Sequence, residues 1–399
     1  MNRFIALISG LLITALSCSI FPQGKSAVKL PYVIDIAGNL KNHRVFKLSE
    51  IATDVSYVRL ETRPDVLIGY GSIKPAGKYF LVGTYKKPIM LFSREGKYIR
   101  SIGSVGKGPG EYKNPAINQI DPIREELFVI SSGMDRIFRY SFSGKLLQDI
   151  PLPQSCTDFY RFNNGNLLLA TPDNYRPDGF YPFVLLDPKG KPIREIKTSE
   201  VPAGKQIAYG VRPNFESGDG WAIVTNFGRD VIWQISPNGE IKPYASLLLG
   251  KLKTPDEFYY DQSKWIQKPF GFFALGFGCQ EAGTLIQVSY AYERQTFTSY
   301  YDPQTKKLFL RDSTGVGEYG FLNDLDGGPG FGATQYFKEG NCLYTYLTAV
   351  DLKQAWKLYA NRDALNPEKK QSMLKMIDSL DEGDNPVIMI LKLRPEGAL

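Results

Sequence analysis

One unit recurs along this chain, and it limits the fold more than any other feature. The unit is an apolar strand, a polar gap, a second strand with an aromatic or apolar end, a tight turn and a third strand. It reads YFLVGTYKKPIMLFSREGKYIRSIG, then ELFVISSGMDRIFRYSFSGKLLQDI, then NLLLATPDNYRPDGFYPFVLLDPKGKPIREI. It continues as GWAIVTNFGRDVIWQISPNGEIKPY and GTLIQVSYAYERQTFTSYYDPQTKKLFLRD. The turn residues Gly96, Gly144, Gly190 and Gly239 lie 48, 46 and 49 residues apart. Thr305 takes the corresponding place 66 residues further on, beyond an insertion around LKTPDEFYYDQSKWIQKPFGF. Glycine suits these turns because hairpin turns often need a positive φ. A period of about 40 to 50 residues with roughly four strands per unit predicts a β-propeller. Within a copy the residues alternate at period two, Phe80 and Val82 against Leu81 and Gly83, which excludes a helical repeat.

A sixth unit is interrupted. NCLYTYLTAV (341–350) reads as its second strand and NPVIMILKL (385–393) as its third. Between them, over 351–382, the pattern predicts a helical insertion. Asp351 is placed to cap a helix with Leu352, Ala355, Trp356 and Tyr359 on one face. Asn366 caps a second, with Pro367 in its first turn and Met373, Ile377 and Leu380 on one face, and Gly383 follows as a stop. The sixth unit has no fourth strand at the C-terminus, and DVSYVRLET near the N-terminus has no unit of its own. The expectation is that this strand completes the last blade and closes the ring. The fold class expected is all-β, a single six-bladed propeller over 45–399, preceded by a linker over 18–44.

The start of the chain, MNRFIALISGLLITALSCS, has Arg3 followed by an apolar run too short to span a bilayer as a helix. It reads as a signal peptide over 1–17, which implies export. Cys18 follows the small residues of ALS and resembles the lipid-accepting cysteine of a bacterial lipobox, although Ala15 stands where leucine is usual. An ordinary signal peptide with an incidental cysteine is the alternative. Lipidation would anchor the protein to a membrane, facing the periplasm or on the outer membrane. Cys156, Cys279 and Cys342 remain, an odd number without a C-x-x-C pair, so at most one internal disulfide can form. The net charge of +7, reduced to +6 without Arg3, is spread without a run of like charges. That argues against a nucleic-acid groove. The expected state is a monomer.

With these landmarks the chain resembles the exported six-bladed β-propeller proteins, NHL-like, of gut-type Gram-negative bacteria. The resemblance rests on FKLSEIATDVSYVRLET, IGSVGKGPGEYKNP, NDLDGGPGF and DEGDNPVIMILKL, in that order along nearly the whole mature chain. It implies the fold and an envelope location, and it assigns no reaction. After NDLDGG the chain departs from many relatives by reading PGFGATQYF.

Candidate chemistry is sparse. GSVGKGPGEY (103–112) invites a phosphate-loop reading, but Pro109 follows Gly108 where a Walker motif needs lysine, and Glu111 stands where a dinucleotide fingerprint needs glycine or alanine. It is expected to be a corner between the first two blades, with Lys107 at most a surface contact. His43 is the only histidine, which argues against a Ser-His-Asp triad or a multi-histidine metal site. Asn323, Asp324 and Asp326 offer oxygens of the kind Ca²⁺ prefers, or else an Asx-type turn. Arg136, Arg212 and Arg229 fall near strand starts, and Tyr175, Tyr209, Tyr259, Tyr260 and Trp265 in or beside long connections. Arginine forks and aromatic faces suit a sugar or an anion.

Three functions follow. The leading one is non-catalytic binding of a small molecule, a glycan or a protein, with no cofactor. The others are a calcium-assisted hydrolase or lyase in the central channel, and a structural subunit of an envelope complex.

Overall fold

A computed structural model describes residues 30–69, 71–112, 119–131, 133–171, 175–176, 179–198, 215–218, 220–224, 230–259, 261, 263, 274–292, 295–311, 320–332 and 336–395. Six sheets, each built on four antiparallel strands, form the blades of a propeller. Blade 1 holds Gly71–Ala76, Tyr79–Thr84, Ile89–Ser93 and Tyr98–Ile102. Blade 2 holds Gln119–Asp121, Glu126–Ile130, Arg136–Ser141 and Leu146–Pro151. Blade 3 holds Asp158–Arg161, Leu167–Ala170, Phe183–Leu186 and Pro192–Ile196. Blade 4 holds Phe215–Gly218, Trp221–Val224, Val231–Ile235 and Ile241–Leu248. Blade 5 holds Ala274–Ala282, Leu285–Tyr292, Gln295–Asp302 and Lys307–Arg311. Blade 6 holds Phe337–Glu339, Cys342–Leu347, Val387–Leu393 and, from the other end of the chain, Ala52–Arg59.

The period-two pattern has a specific meaning here. Phe80, Leu81 and Val82 are all buried, as are all four residues of Leu167–Ala170 and of Phe183–Leu186. Alternate residues leave one blade for different neighbours. Phe80 and Val82 join the core shared with blade 6, and Leu81 joins the core shared with blade 2. Each of the six seams between blades has its own apolar cluster. A fully buried leucine or phenylalanine contributes about 1.5–3 kcal/mol.

The expected closure is present. Ala52–Arg59 pairs antiparallel with Val387–Leu393, with Val55 opposite Leu391 and Tyr57 opposite Met389. The preceding chain also lies on the ring. Tyr32–Asp35 adds parallel to Ile241–Leu248, and His43–Arg44 adds parallel to Lys307–Arg311. Part of the expected linker is therefore the fifth strand of blades 4 and 5, and His43 is an exposed member of it.

The insertion in blade 6 forms helices Ala349–Gln354, Trp356–Ala360 and Pro367–Asp378. Asn366 caps the third as expected. The first is capped by Thr348, whose hydroxyl accepts from the Asp351 amide, because threonine precedes the first turn and Asp351 falls within it. Trp356 is partly exposed and lies off the apolar face, where Leu352, Tyr359, Met373, Ile377 and Leu380 pack on Val387.

The repeat's tight turns share one mechanism. Gly96, Gly144, Gly190 and Gly239 all have φ between 78° and 94°. Each follows Ser93, Ser141, Asp187 or Ser236 by three residues, and that side-chain oxygen accepts from backbone amides in the turn. In blade 5 Asp302 plays this part, but the left-handed residue is Lys306 at φ 56°, not Thr305. The turn there runs one residue longer, with Asp302 paired to Lys307.

The two faces of the ring differ. On one, short links join first to second strands (77–78, 122–125, 162–166, 283–284 and 340–341 among the described residues) beside the tight turns. Ion pairs stitch neighbouring blades near these links: Arg94–Glu339, Lys78–Glu125 at 2.8 Å, Arg161–Asp121 at 3.2 Å and Lys338–Glu281 at 3.1 Å. The other face carries, among the described residues, the connecting stretches 60–69, 103–112, 152–157, 249–259 and 320–332, together with the insertion.

Candidate functional site

The glycine corner at 103–112 closes on itself. Val105 bridges Tyr112, and the buried Tyr112 hydroxyl donates to the Ile102 carbonyl while accepting from the Ile89 amide at 2.9 Å. Glu111 turns inward, accepting from the Gly108 amide at 2.8 Å and from the Ser104 hydroxyl at 3.3 Å. The loop thus supplies its own anion to the amide that a phosphate would seek. Tyr140 donates to the Gly110 carbonyl, and burial, with a smaller contribution from Glu111, pushes its phenol up to about 12.

The second acidic segment, 322–329, ties distant parts of the chain together. Asn323 and Asp326 are each 1% exposed. The Asn323 amide donates to Asp326 Oδ1 at 2.7 Å and to the Pro329 carbonyl at 3.2 Å, and its oxygen accepts from the Leu325 and Asp326 amides. Asp326 Oδ1 also accepts from the Gly328 amide at 2.9 Å and from the Tyr57 hydroxyl at 3.3 Å. Burial raises the Asp326 carboxyl above the usual carboxylate range, opposed by these donors and by Lys369. Burial, then the neighbouring Asp326, holds the Tyr57 phenol well above its ordinary value. Asp324 turns the other way, accepting from the Ser49 amide at 2.9 Å and the Ser49 hydroxyl at 2.6 Å. Arg362 of the insertion donates to the Gly328 carbonyl at 2.9 Å.

The structure therefore brings Asn323 and Asp326 together, and adds Tyr57, which sequence reading did not single out. Asp324 belongs to a separate contact. Arg136 is on blade 2, paired with Asp149 at 2.7 Å along the sheet. Arg212, Arg229 and Cys18 lie outside the described residues, as do Tyr209, Tyr260 and Trp265 and the side chains of Tyr175 and Tyr259. Cys156 and Cys342 are free thiols, and burial pushes the Cys156 thiol up to about 12, which makes it a poor nucleophile. Among the described residues no three His, Cys, Asp or Glu side chains group as metal ligands.

On the long-connection face, neighbouring blades present side chains of another kind. Tyr85 is 64% exposed and Met134 49% exposed. The Lys86 ammonium lies 5.0 Å from the Tyr85 ring centre, and Lys87 donates to the Leu67 carbonyl at 2.7 Å. Lys86 and Met134 are left-handed at φ 58° and 59°, where glycine would fit without strain. The only sequence signal for them was their place in the gap between second and third strands.

Residues 31–392 match the family described as a domain of unknown function, DUF4934. A crystal structure of a putative exported protein from Bacteroides fragilis is similar, with a TM-score of 0.64 and 17% identity, covering 91% of this chain and 99% of that one. A DUF4221 family member from Bacteroides vulgatus has a TM-score of 0.48 and 11% identity, covering 86% and 97%. The first likeness shows the fold. No curated protein matches the sequence.

Proposed function

The chain belongs to the DUF4934 family, and from that premise we propose that it is a non-catalytic binding propeller of the bacterial cell envelope. The observation that carries this reading is the asymmetry of the ring. Among the described residues, one face is closed by short turns and ion pairs, and the other carries the longer connections and the insertion of blade 6. Binding residues concentrate on loops that a rigid scaffold positions. Leu67, Tyr85, Lys86 and Met134 are exposed apolar, aromatic and cationic side chains on that face, of a kind suited to a glycan or a protein ligand. The signal sequence and Cys18 support export with a lipid anchor at Cys18, facing the periplasm or on the outer membrane, and the repeat supports an NHL-like ring.

Photo-crosslinking in cells tests the surface. A photoreactive phenylalanine at position 85 or 134 is expected to form a discrete adduct, and one at Lys145, in a tight turn of the opposite face, is not. Adducts at 145 alone, or none at 85 and 134, overturn the assignment. Mass spectrometry of the mature N-terminus tests the anchor. Cys18→Ser is expected to abolish the diacylglyceryl adduct and membrane association, and unchanged fractionation would rule the anchor out.

A further inference from the structure

We propose that the seam between blades 5 and 6 holds a binding site for a single water molecule, formed by Tyr300 and Gln287 beneath Gly332. Tyr300 is fully buried, and its hydroxyl has no hydrogen-bond partner among the described residues. The side-chain oxygen of Gln287 is buried and equally unpartnered. The two residues are direct cross-strand partners in blade 5, so their side chains leave the sheet on the same face. Both polar atoms lie beside Gly332. A Cβ added to Gly332 would lie 3.1 Å from Tyr300 Oη and 3.8 Å from Gln287 Oε1. Gln287 Nε2 is turned to Ser289 Oγ at 3.3 Å, which directs Oε1 to the site.

The chemistry selects water. A glutamine carbonyl only accepts, and a phenol both donates and accepts. Water can accept from Tyr300 and donate to Gln287, satisfying two groups whose burial without partners is costly. Buried waters take about two to four such bonds. The position explains the local sequence as well. Gly332 belongs to a two-stranded ribbon, Gly320–Phe321 with Phe331–Gly332, packed on Tyr300 through Phe321 at 4.7 Å between ring centres. A side chain at 332 would enter the site. The water pins blade 5 beneath the ribbon that leads to the closing blade.

A crystal structure that resolves ordered solvent tests this directly. The expected result is a solvent peak within hydrogen-bond distance of both Tyr300 Oη and Gln287 Oε1, lost in Tyr300→Phe. Thermal unfolding gives a second readout. Tyr300→Phe and Gln287→Met should each lower Tm, and the double variant should fall no further than the worse single one, because both remove the same bridge. Absence of the peak with both side chains ordered overturns the proposal. So does a phenol bonded directly to a protein acceptor, or losses in Tm that simply add. If Tyr300→Phe fails to fold, the native solvent peak decides alone.

Discussion

The corner at 103–112 and the segment at 320–332 are both glycine-rich, both carry an inward carboxylate, and both link one blade's outermost strand to the next blade's first. They differ in where their partners come from. Glu111 bonds Gly108 and Ser104, three and seven residues away, and Tyr112 bonds Ile102, ten away. Asp326 bonds Tyr57 across 269 residues, and Asp324 bonds Ser49 across 275. The first loop can close as soon as the first two blades meet, with Tyr140 bonding Gly110 across 30 residues. The second is complete only when the N-terminal strand has docked and the insertion has folded against it. Long-range closure costs chain entropy before it returns contact energy. The second segment is thus a fastener for the ring, whereas the first is a local corner.

Glycine substitution should separate the two most strongly. Gly320 has φ 88°, and a Cβ there would overlap the Phe331 carbonyl, which is backbone held in the ribbon. Left-handed strain plus overpacking predicts a loss of about 3–5 kcal/mol for Gly320→Ala. Gly110 has φ 74°, but its nearest neighbour is the tip of Leu146 at 3.0 Å, which can move. Gly110→Ala should cost only the backbone strain, about 1–2 kcal/mol. Urea unfolding of the two variants measures the difference, and equal losses would break the distinction between a fastener and a corner.

The carboxylates should repeat the contrast at smaller scale. Asp326→Ala leaves the Asn323 amide, the Gly328 amide and the Tyr57 hydroxyl without their shared acceptor in a buried place. Stranded buried donors predict a loss of about 2–4 kcal/mol. Glu111 is only half-buried, so water can replace it. Glu111→Ala should cost about 0.5–1 kcal/mol in the same denaturation assay. A larger loss at Glu111 would mean that the corner, too, holds distant parts of the ring.

What could be read in the sequence follows the same division. The period, the turn glycines, the closing strand and the Asn366 cap depend on neighbours within a few residues or on a repeated pattern, and they were legible. The first strand of each blade was not part of the recognised unit, because it follows connections of irregular length and is as short as Gln119–Asp121. The parallel additions of Tyr32–Asp35 and His43–Arg44 were also missed. Short edge strands carry little periodicity, and their pairing is specified by strands more than 200 residues away. Tyr57 escaped notice for a related reason. Its strand gave the right ring closure, but its hydroxyl's partner at Asp326 is a fact of the closed ring alone.

The finest test of the comparison uses pH. Burial is what sets Asp326 apart, and it raises the folded-state carboxyl above the unfolded value. Between those two values the folded protein binds more protons than the unfolded one. The site's contribution to stability is therefore fully present below the unfolded value and is lost as pH rises through the folded one. The groups around it do not reverse the sign. Tyr57 stays protonated and the Arg362 guanidinium near Gly328 stays charged throughout, and the neighbouring Lys369 opposes the rise without reversing it. Asp326→Asn keeps an acceptor for the three donors and imitates the protonated acid. The stability of this variant relative to the native chain should climb as pH rises from the acid side toward neutrality and then level off. Thermal unfolding of both proteins across that range measures the difference curve. A flat curve would mean that the carboxylate is as well solvated as a surface group, and the segment would then be a second local corner in place of a buried clasp.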